Sequence, residues 1–388
     1  TRDDVIIGGA VEQDSFTIKA SAKAFQILSS NLYSNPLGSM IREISTNAYD
    51  AHVMSGKADE PFEIKLPNKM DPTFRVRDYG PGLSPTEIKT IYTTFFESTK
   101  TDSNDAVGCL GLGSKSPFGV TDSFTVTSYH AGVKTVYSAF LNDQRIPTIA
   151  KFHSEESNEH SGIAIEVAIR ESDWMYFEDE VKHQLQYFKV KPKISGNSNF
   201  QWKQEPEYLL SGPNWKLNDS LYHGLSCTII QGQVAYPLEP RAMGSAIEGF
   251  KANYLFKLDL IIEVPIGTVN VAPSREALSY DDHTVSNLLD IFLKIETEIK
   301  EEIQKKIDSE ECSWNARLTL DEIRRKIFGH SDLYDLNNIK WKGIDISSTV
   351  IGLEQDAVDA LISFNLVNGR FVRSNQRPVS YTHLTLPT

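Results

Sequence analysis

Apolar positions recur at helical spacing from about Ser21 to Gly56, through AKAFQILSSNLY and then PLGSMIREISTNAYDAHVMSG, and this predicts two helices. Pro36 opens the second and Gly56 closes it, the usual punctuation of a helix. Beyond Phe62 the period falls to two. FEIKLP and TFRVRD alternate on either side of Asn68, Asp71 and Pro72, predicting a hairpin or two neighbouring strands. DYGPGL reads as a turn, and Ser84, Pro85 and Glu87 form a capping box that opens a short helix over LSPTEIKTIY. Glu97 to Ser116 has no period, is rich in Ser, Thr, Gly and Asp, and ends in GCLGLGSKS, which reads as a mobile loop entering a helix.

Strand-like runs follow at SFTVTSYH, VKTVYSAFL, PTIAKF and SGIAIEVAI. Helices early and strands late predict an α/β fold, a two-layer sandwich with a mostly antiparallel sheet. After the acidic amphipathic stretch WMYFEDEVKHQLQYF, the run KPKISGNSN reads as a linker near residue 195. A second, smaller α/β domain then shows strands LSCTIIQ and FKLDLIIEV around a helix AIEGFKANY, and a long helix from about His283. The expected division is 1–195, 196–310 and a C-terminal segment 311–377, which the sequence pattern defines poorly. Residues 378–388, PVSYTHLTLPT, resemble the translation of a sequencing adapter and are set apart from the fold. On that reading the natural protein continues beyond about Arg377.

Composition narrows the class. The 388 residues are 40% hydrophobic and 23% charged, ordinary values for a soluble globular protein of two or three domains. A formal net charge of −13 argues against a protein whose main work is gripping phosphate backbones. Cys109, Cys227 and Cys312 lie far apart with no CxxC pair, so neither a disulfide framework nor a thiolate zinc site is legible. No apolar run approaches the ~18 residues of a spanning helix, and the first residues lack a signal-peptide pattern. The expected location is a reducing cytoplasm.

Glu43, Asn47 and Asp50 stand at i, i+4 and i+7, within roughly 60° of one another on a helix surface. Ile41, Ile44, Ala48 and Ala51 take the opposite face. Taken alone, three such polar residues read as a solvated face. Their company changes the reading: E-x-x-x-N-A-x-D-A, then D-x-G-x-G from Asp78, then G-x-x-G-x-G from Gly108 occur in that order, with a Ser/Thr-rich loop before the last. A P-loop is the rival for GCLGLGSKS, but Ser114 separates Gly113 from Lys115 and no strand precedes the segment.

The three motifs together resemble the N, G1 and G2 boxes of the gyrase, Hsp90, histidine kinase and MutL superfamily, which implies a Bergerat-type fold binding ATP with Mg²⁺. On that resemblance Glu43 is the general base toward the attacking water, since a carboxylate beside a γ-phosphate can take its proton. Asn47 is the magnesium ligand, because the hard ion prefers oxygen donors. Asp78 reads adenine through the exocyclic amine, which guanine does not offer there; its bland alternative is a turn Asp capping Gly80. Gly80 and Gly82 let the backbone approach the base, and Gly108, Gly111 and Gly113 let it approach phosphates at a helix N-terminus. Asp50, Thr99, Leu112, Ser114 and Lys115 complete the nucleotide-binding set, with Lys115 alternatively a solvated helix lysine. GTVNVAPSREALSYDD resembles the loop from which a basic residue reaches the γ-phosphate in MutL-like relatives, placing Arg275 there, or else pairing it with Glu276 or Asp281. Where relatives often carry Gly-Thr beside the adenine site, this chain has Ser161-Gly162-Ile163, which leaves the hydroxyl donor open.

SFTIKASAKAFQILSSNLYSNPLGSMIREISTNAYDAH is similar to the start of the phage rapid-lysis rIIA-like family, and the likeness runs through the third motif. That resemblance implies an effect on lysis timing and host exclusion, a phage or host protein partner, and a peripheral place at the host inner membrane. An ATP-driven switch is the favoured class, with ATP-dependent homodimerisation through Thr1 to Ala20 as its extension. A histidine kinase would need a phospho-acceptor histidine before Glu43, and none is there. A nucleotide-sensing binding module without hydrolysis is the alternative.

Overall fold

The computed structural model describes residues 32–93, 113–219, 227–328, 338–346, 364–367 and 370–373. The chain divides into two compact units, Thr1–Leu185 with Lys189–Gln201, and Gln186–Phe188 with Trp202–Thr388. The first is mixed α/β, with a large, mostly antiparallel sheet. Helix α1 (Pro36–Met54) starts where the Asn35 side chain accepts the Gly38 N–H at 3.0 Å and Pro36 supplies a first residue that needs no donor. It ends at Ser55, with Gly56 at φ +69°. Strands β1 (Glu63–Lys65) and β2 (Thr73–Arg77) pair antiparallel across a turn in which Asn68 Oδ1 accepts the N–H groups of Met70 and Asp71. The capping box at α2 (Pro85–Thr93) forms as its sequence requires: Glu87 Oε2 accepts from Ser84 N at 2.7 Å, and Ser84 Oγ from Glu87 N at 3.3 Å.

Strands β3 (Ser123–His130), β4 (Val133–Leu141), β5 (Pro147–Glu156) and β6 (Gly162–Ala168) join β1, β2 and β7 (Lys193–Ser195) in a seven-stranded sheet of order β5-β4-β3-β6-β2-β1-β7. β6 pairs antiparallel with both β3 and β2, and register aligns the buried Val126, Ile165, Val76 and Ile64 in one row across the sheet. Phe74 meets Phe177 of α3 (Trp174–Gln184) at 4.8 Å between ring centroids, closing the core under α1. The run expected as a linker near residue 195 is in part a strand. Ile194 pairs in parallel with Ile64, and Phe62 O and Leu66 N bond Lys193 N and Ser195 O, so the edge of β1 captures it.

In the second unit, β8 (Tyr208–Ser211), β9 (Trp215–Asn218), β10 (Thr228–Gln231), β11 (Val234–Pro237) and β12 (Leu260–Val264) form a five-stranded sheet of order β11-β10-β12-β9-β8. Helix α4 (Asp282–Asp308) is capped by Asp281, whose Oδ1 accepts from Thr284 N at 2.8 Å, and it buries Leu288, Phe292, Ile295, Ile299, Ile303 and Ile307. Helix α5 (Ser313–Phe328) follows it. The helix expected over AIEGFKANY does not form. Two 3₁₀ stretches, Pro240–Ile247 and Asn253–Lys257, stand there instead, because Gly249 at φ +74° breaks the ladder, while Gly244 at +62° kinks the first of them. Among the described residues no helix is long and apolar enough to cross a membrane.

Candidate functional site

The polar face of α1 is not solvated. Glu43 and Asp50 are 3% and 4% exposed, Arg42, Ser39 and Thr46 are buried with them, and Asn47 is half-buried. Their cover includes Gly113–Gly119, a 3₁₀ segment rather than the expected α-helix, since Pro117 inside it lacks the N–H that an α ladder needs. Gly113 lies so close to α1 that a Cβ built on it would stand 2.7 Å from Glu43 Oε2 and 3.5 Å from Asn47 Nδ2. The first and third motifs therefore meet, and a side chain added at the junction would have to move the Glu43 carboxylate.

Asp78 follows β2 and is 5% exposed. Its Oδ1 accepts the N–H groups of Gly80 at 2.9 Å and Ile163 at 3.2 Å, so the turn-capping role and a contact with β6 coexist. Among the described residues nothing donates to Oδ2. Burial pushes the carboxyl up to about 6, against the two backbone N–H groups and the Arg77 guanidinium, which pull it down. Gly80 packs on α1 nearer its C-terminal end, where an added Cβ would meet Ala51 Cβ at 2.6 Å and Ala51 O at 2.9 Å. Gly82, at φ +70°, abuts the Tyr129 carbonyl. Gly162, at φ +139°, lies against the Asp78 carbonyl, so any side chain there would push the carboxylate's strand away.

Lys115 is 1% exposed, which rules out the solvated-lysine alternative, and its Nζ donates to the Ile91 carbonyl in the last turns of α2. Among the described residues, Ser114 Oγ and Ser116 Oγ are buried without a hydrogen-bond partner. Ser161 precedes the Gly162–Ile163 pair, and no hydroxyl from it is bonded to Asp78; the Ile163 main-chain N–H is the β6 contact instead. Thr99, Gly108, Gly111 and Leu112 lie outside the described residues, as do Thr1 to Ala20, the predicted first helix apart from its last two residues, and the final eleven residues.

Arg275 belongs to the second unit. It is buried and takes φ +55° in the loop bracketed by the Val271–Leu278 bridge, its N–H bonded to Ala272 O at 2.8 Å. Asp281, one of the two acids considered as its partner, caps α4 and accepts from Asn270 Nδ2 at 2.7 Å.

Four residues near the motifs carried no role in the sequence reading. Arg42 Nε approaches Glu43 Oε1 at 3.4 Å, both side chains buried. His52 is wholly buried, with Nε2 accepting the Tyr79 N–H at 2.8 Å and Nδ1 2.9 Å from Glu60 O. Lys57 Nζ donates to Tyr79 O at 2.9 Å. Arg77 donates to the carbonyls of Asp78 and His160, with its guanidinium 4.1 Å from the centroid of the Tyr129 ring. The signals were in the text, since His52 is the residue after the first motif and Arg77 the residue before the second. A lone His or Arg has no spacing rule that assigns it.

No protein-family model matches this chain, and no curated protein matches it.

Proposed function

We propose that this chain binds ATP with magnesium along helix α1 of its first unit, hydrolyses it slowly, and acts as a conformational switch of the gyrase, Hsp90, histidine kinase and MutL superfamily, with a Bergerat-type nucleotide fold. One observation carries the reading: both glycine motifs land on the helix that bears the acidic motif, Gly113 against Glu43 and Asn47, and Gly80 against Ala51 one turn further on. Glu43 and Ala51 are separated by ~12 Å of helix rise, enough to lay a nucleotide with its phosphates at one end and its base at the other.

The donors present fit that ligand. Among the described residues Ser114 Oγ and Ser116 Oγ, in the segment that begins at Gly113, are buried without a partner, and phosphate oxygens would accept from them. At the other end Asp78 Oδ1 is held by the Gly80 and Ile163 N–H groups, and among the described residues nothing donates to Oδ2, which would accept from an amine. Asn47 would hold magnesium, which supplies charge neutralisation to the phosphates when bound. Glu43 would orient the attacking water and accept its proton. A sensing module without turnover has one observation in its favour: the Arg42 guanidinium already stands against one oxygen of Glu43. The rIIA-like role in lysis timing, a phage or host protein partner, homodimerisation and a peripheral place at the inner membrane rest on the sequence resemblance alone.

Calorimetric titration of wild type and Asp78→Asn with ATP and GTP tests the reading. ATP binding that is lost in the variant, with GTP weak throughout, is expected. GTP bound as tightly as ATP would contradict it.

A further inference from the structure

Two consecutive peptide planes link Asp78 to Gly80, and each is held at both ends. In the first plane, Arg77 Nη1 donates to Asp78 O, and the Tyr79 N–H donates to His52 Nε2 at 2.8 Å. In the second, Lys57 Nζ donates to Tyr79 O at 2.9 Å, and the Gly80 N–H donates to Asp78 Oδ1 at 2.9 Å. Because a peptide is planar and rigid, four bonds on two planes leave the carboxylate little rotational freedom. The turn is thereby tied to the end of α1: His52 lies in its last turn, and Lys57, just past it, bonds His52 O through its own N–H at 2.8 Å.

We propose that His52 and Lys57 are positioning residues for the base-reading carboxylate: by clamping the Tyr79 peptide from both sides they aim Asp78 and set the preference for adenine over guanine. This rests on the nucleotide reading above. The arrangement requires neutral His52, with Nδ1–H donated to Glu60 O so that Nε2 is left as acceptor. Burial favours that form and holds the imidazole below its ordinary value. The charged and titratable groups around it are Lys57 and Glu60 from the loop after α1, and Tyr79 with Arg77 behind it from the end of β2; Phe62 faces it edge-on. Protonation at Nε2 turns an acceptor into a donor facing the Tyr79 N–H, and the first plane is released.

Two measurements on the whole chain test this. Titration with adenosine, guanosine and pyrophosphate separates base from phosphate binding, and Lys57→Met should weaken adenosine ~3- to 10-fold, narrow its margin over guanosine and leave pyrophosphate unchanged. Hydrogen exchange in the free protein should show the Tyr79 amide protected at neutral pH and released as pH falls below 6.5. His52→Phe should expose that amide at every pH while the Gly80 amide stays protected, with His52→Gln as the second variant if the ring replacement does not fold. Unchanged adenosine affinity in folded Lys57→Met, or a Tyr79 amide indifferent to both His52 variants, overturns the clamp. Wild type that binds none of the three probes overturns the nucleotide reading instead, and exchange at Tyr79 then decides the clamp alone.

Discussion

Gly113 and Glu43 come from the third and first motifs, 70 residues apart, and a single Cβ on Gly113 would stand 2.7 Å from the Glu43 carboxylate. Gly113→Ala should therefore displace the Glu43 side chain while leaving the sheet intact. Displacing a catalytic group by ~1 Å can cost on the order of 100-fold in rate. ATP turnover should fall by that order with the melting temperature little changed, measured by phosphate release and calorimetry on the same preparation. Turnover equal to wild type would remove Glu43 from the site.

Asp78 makes a prediction about stability and pH. Its carboxyl is raised from 3.8 to about 6, so the folded state favours the protonated form. The contribution is fully present below 3.8 and is lost as pH rises through about 6. Full ionisation costs on the order of 3 kcal/mol. Asp78→Asn, which never ionises, should gain stability relative to wild type as pH increases from 4 to 8, read from denaturant midpoints across that range, even as adenosine binding is lost. A difference between the two proteins that does not move with pH would mean that the carboxylate is solvated.

Lys115 is buried with its amine on the Ile91 carbonyl. If it also serves the phosphates, Lys115→Met should weaken ATP by ~10- to 100-fold, the worth of a charge-assisted bond, and leave adenosine affinity alone. Equal losses for both ligands would assign it to the packing of α2.

Gly162→Ala tests the junction of β2 and β6. With φ at +139° and the Asp78 carbonyl where a Cβ would stand, an added methyl group must shift the strand end that carries the carboxylate. A loss of ~1–3 kcal/mol in unfolding free energy is expected, together with loss of adenosine binding. A stable Gly162→Ala protein that binds adenosine normally would contradict the geometry at Asp78.

Much of this architecture was legible as pattern. Pro36, Gly56 and the Ser84–Glu87 box mark helix ends because the residues act on their own backbone, and the alternation in SFTVTSYH and VKTVYSAFL shows strands because one face must be buried. The elements that escaped depend on distant partners. KPKIS has the composition of a linker and becomes a strand only because β1 offers a free edge, while AIEGFKANY has helical spacing that Gly249 at positive φ interrupts. At the candidate site the motif residues were visible by spacing. The burial of their polar face was not, since it comes in part from the segment 70 residues downstream, and neither were His52 and Lys57, whose partners are main-chain atoms that any sequence could supply.

The central claim is that Glu43 acts on ATP held along α1. ATP binding and phosphate release should be measured for wild type and Glu43→Ala, with magnesium present and then chelated. The account predicts that both proteins bind ATP, that only wild type turns it over, and that chelation stops turnover. Hydrolysis undiminished in Glu43→Ala, or no ATP binding by wild type with magnesium, would contradict it.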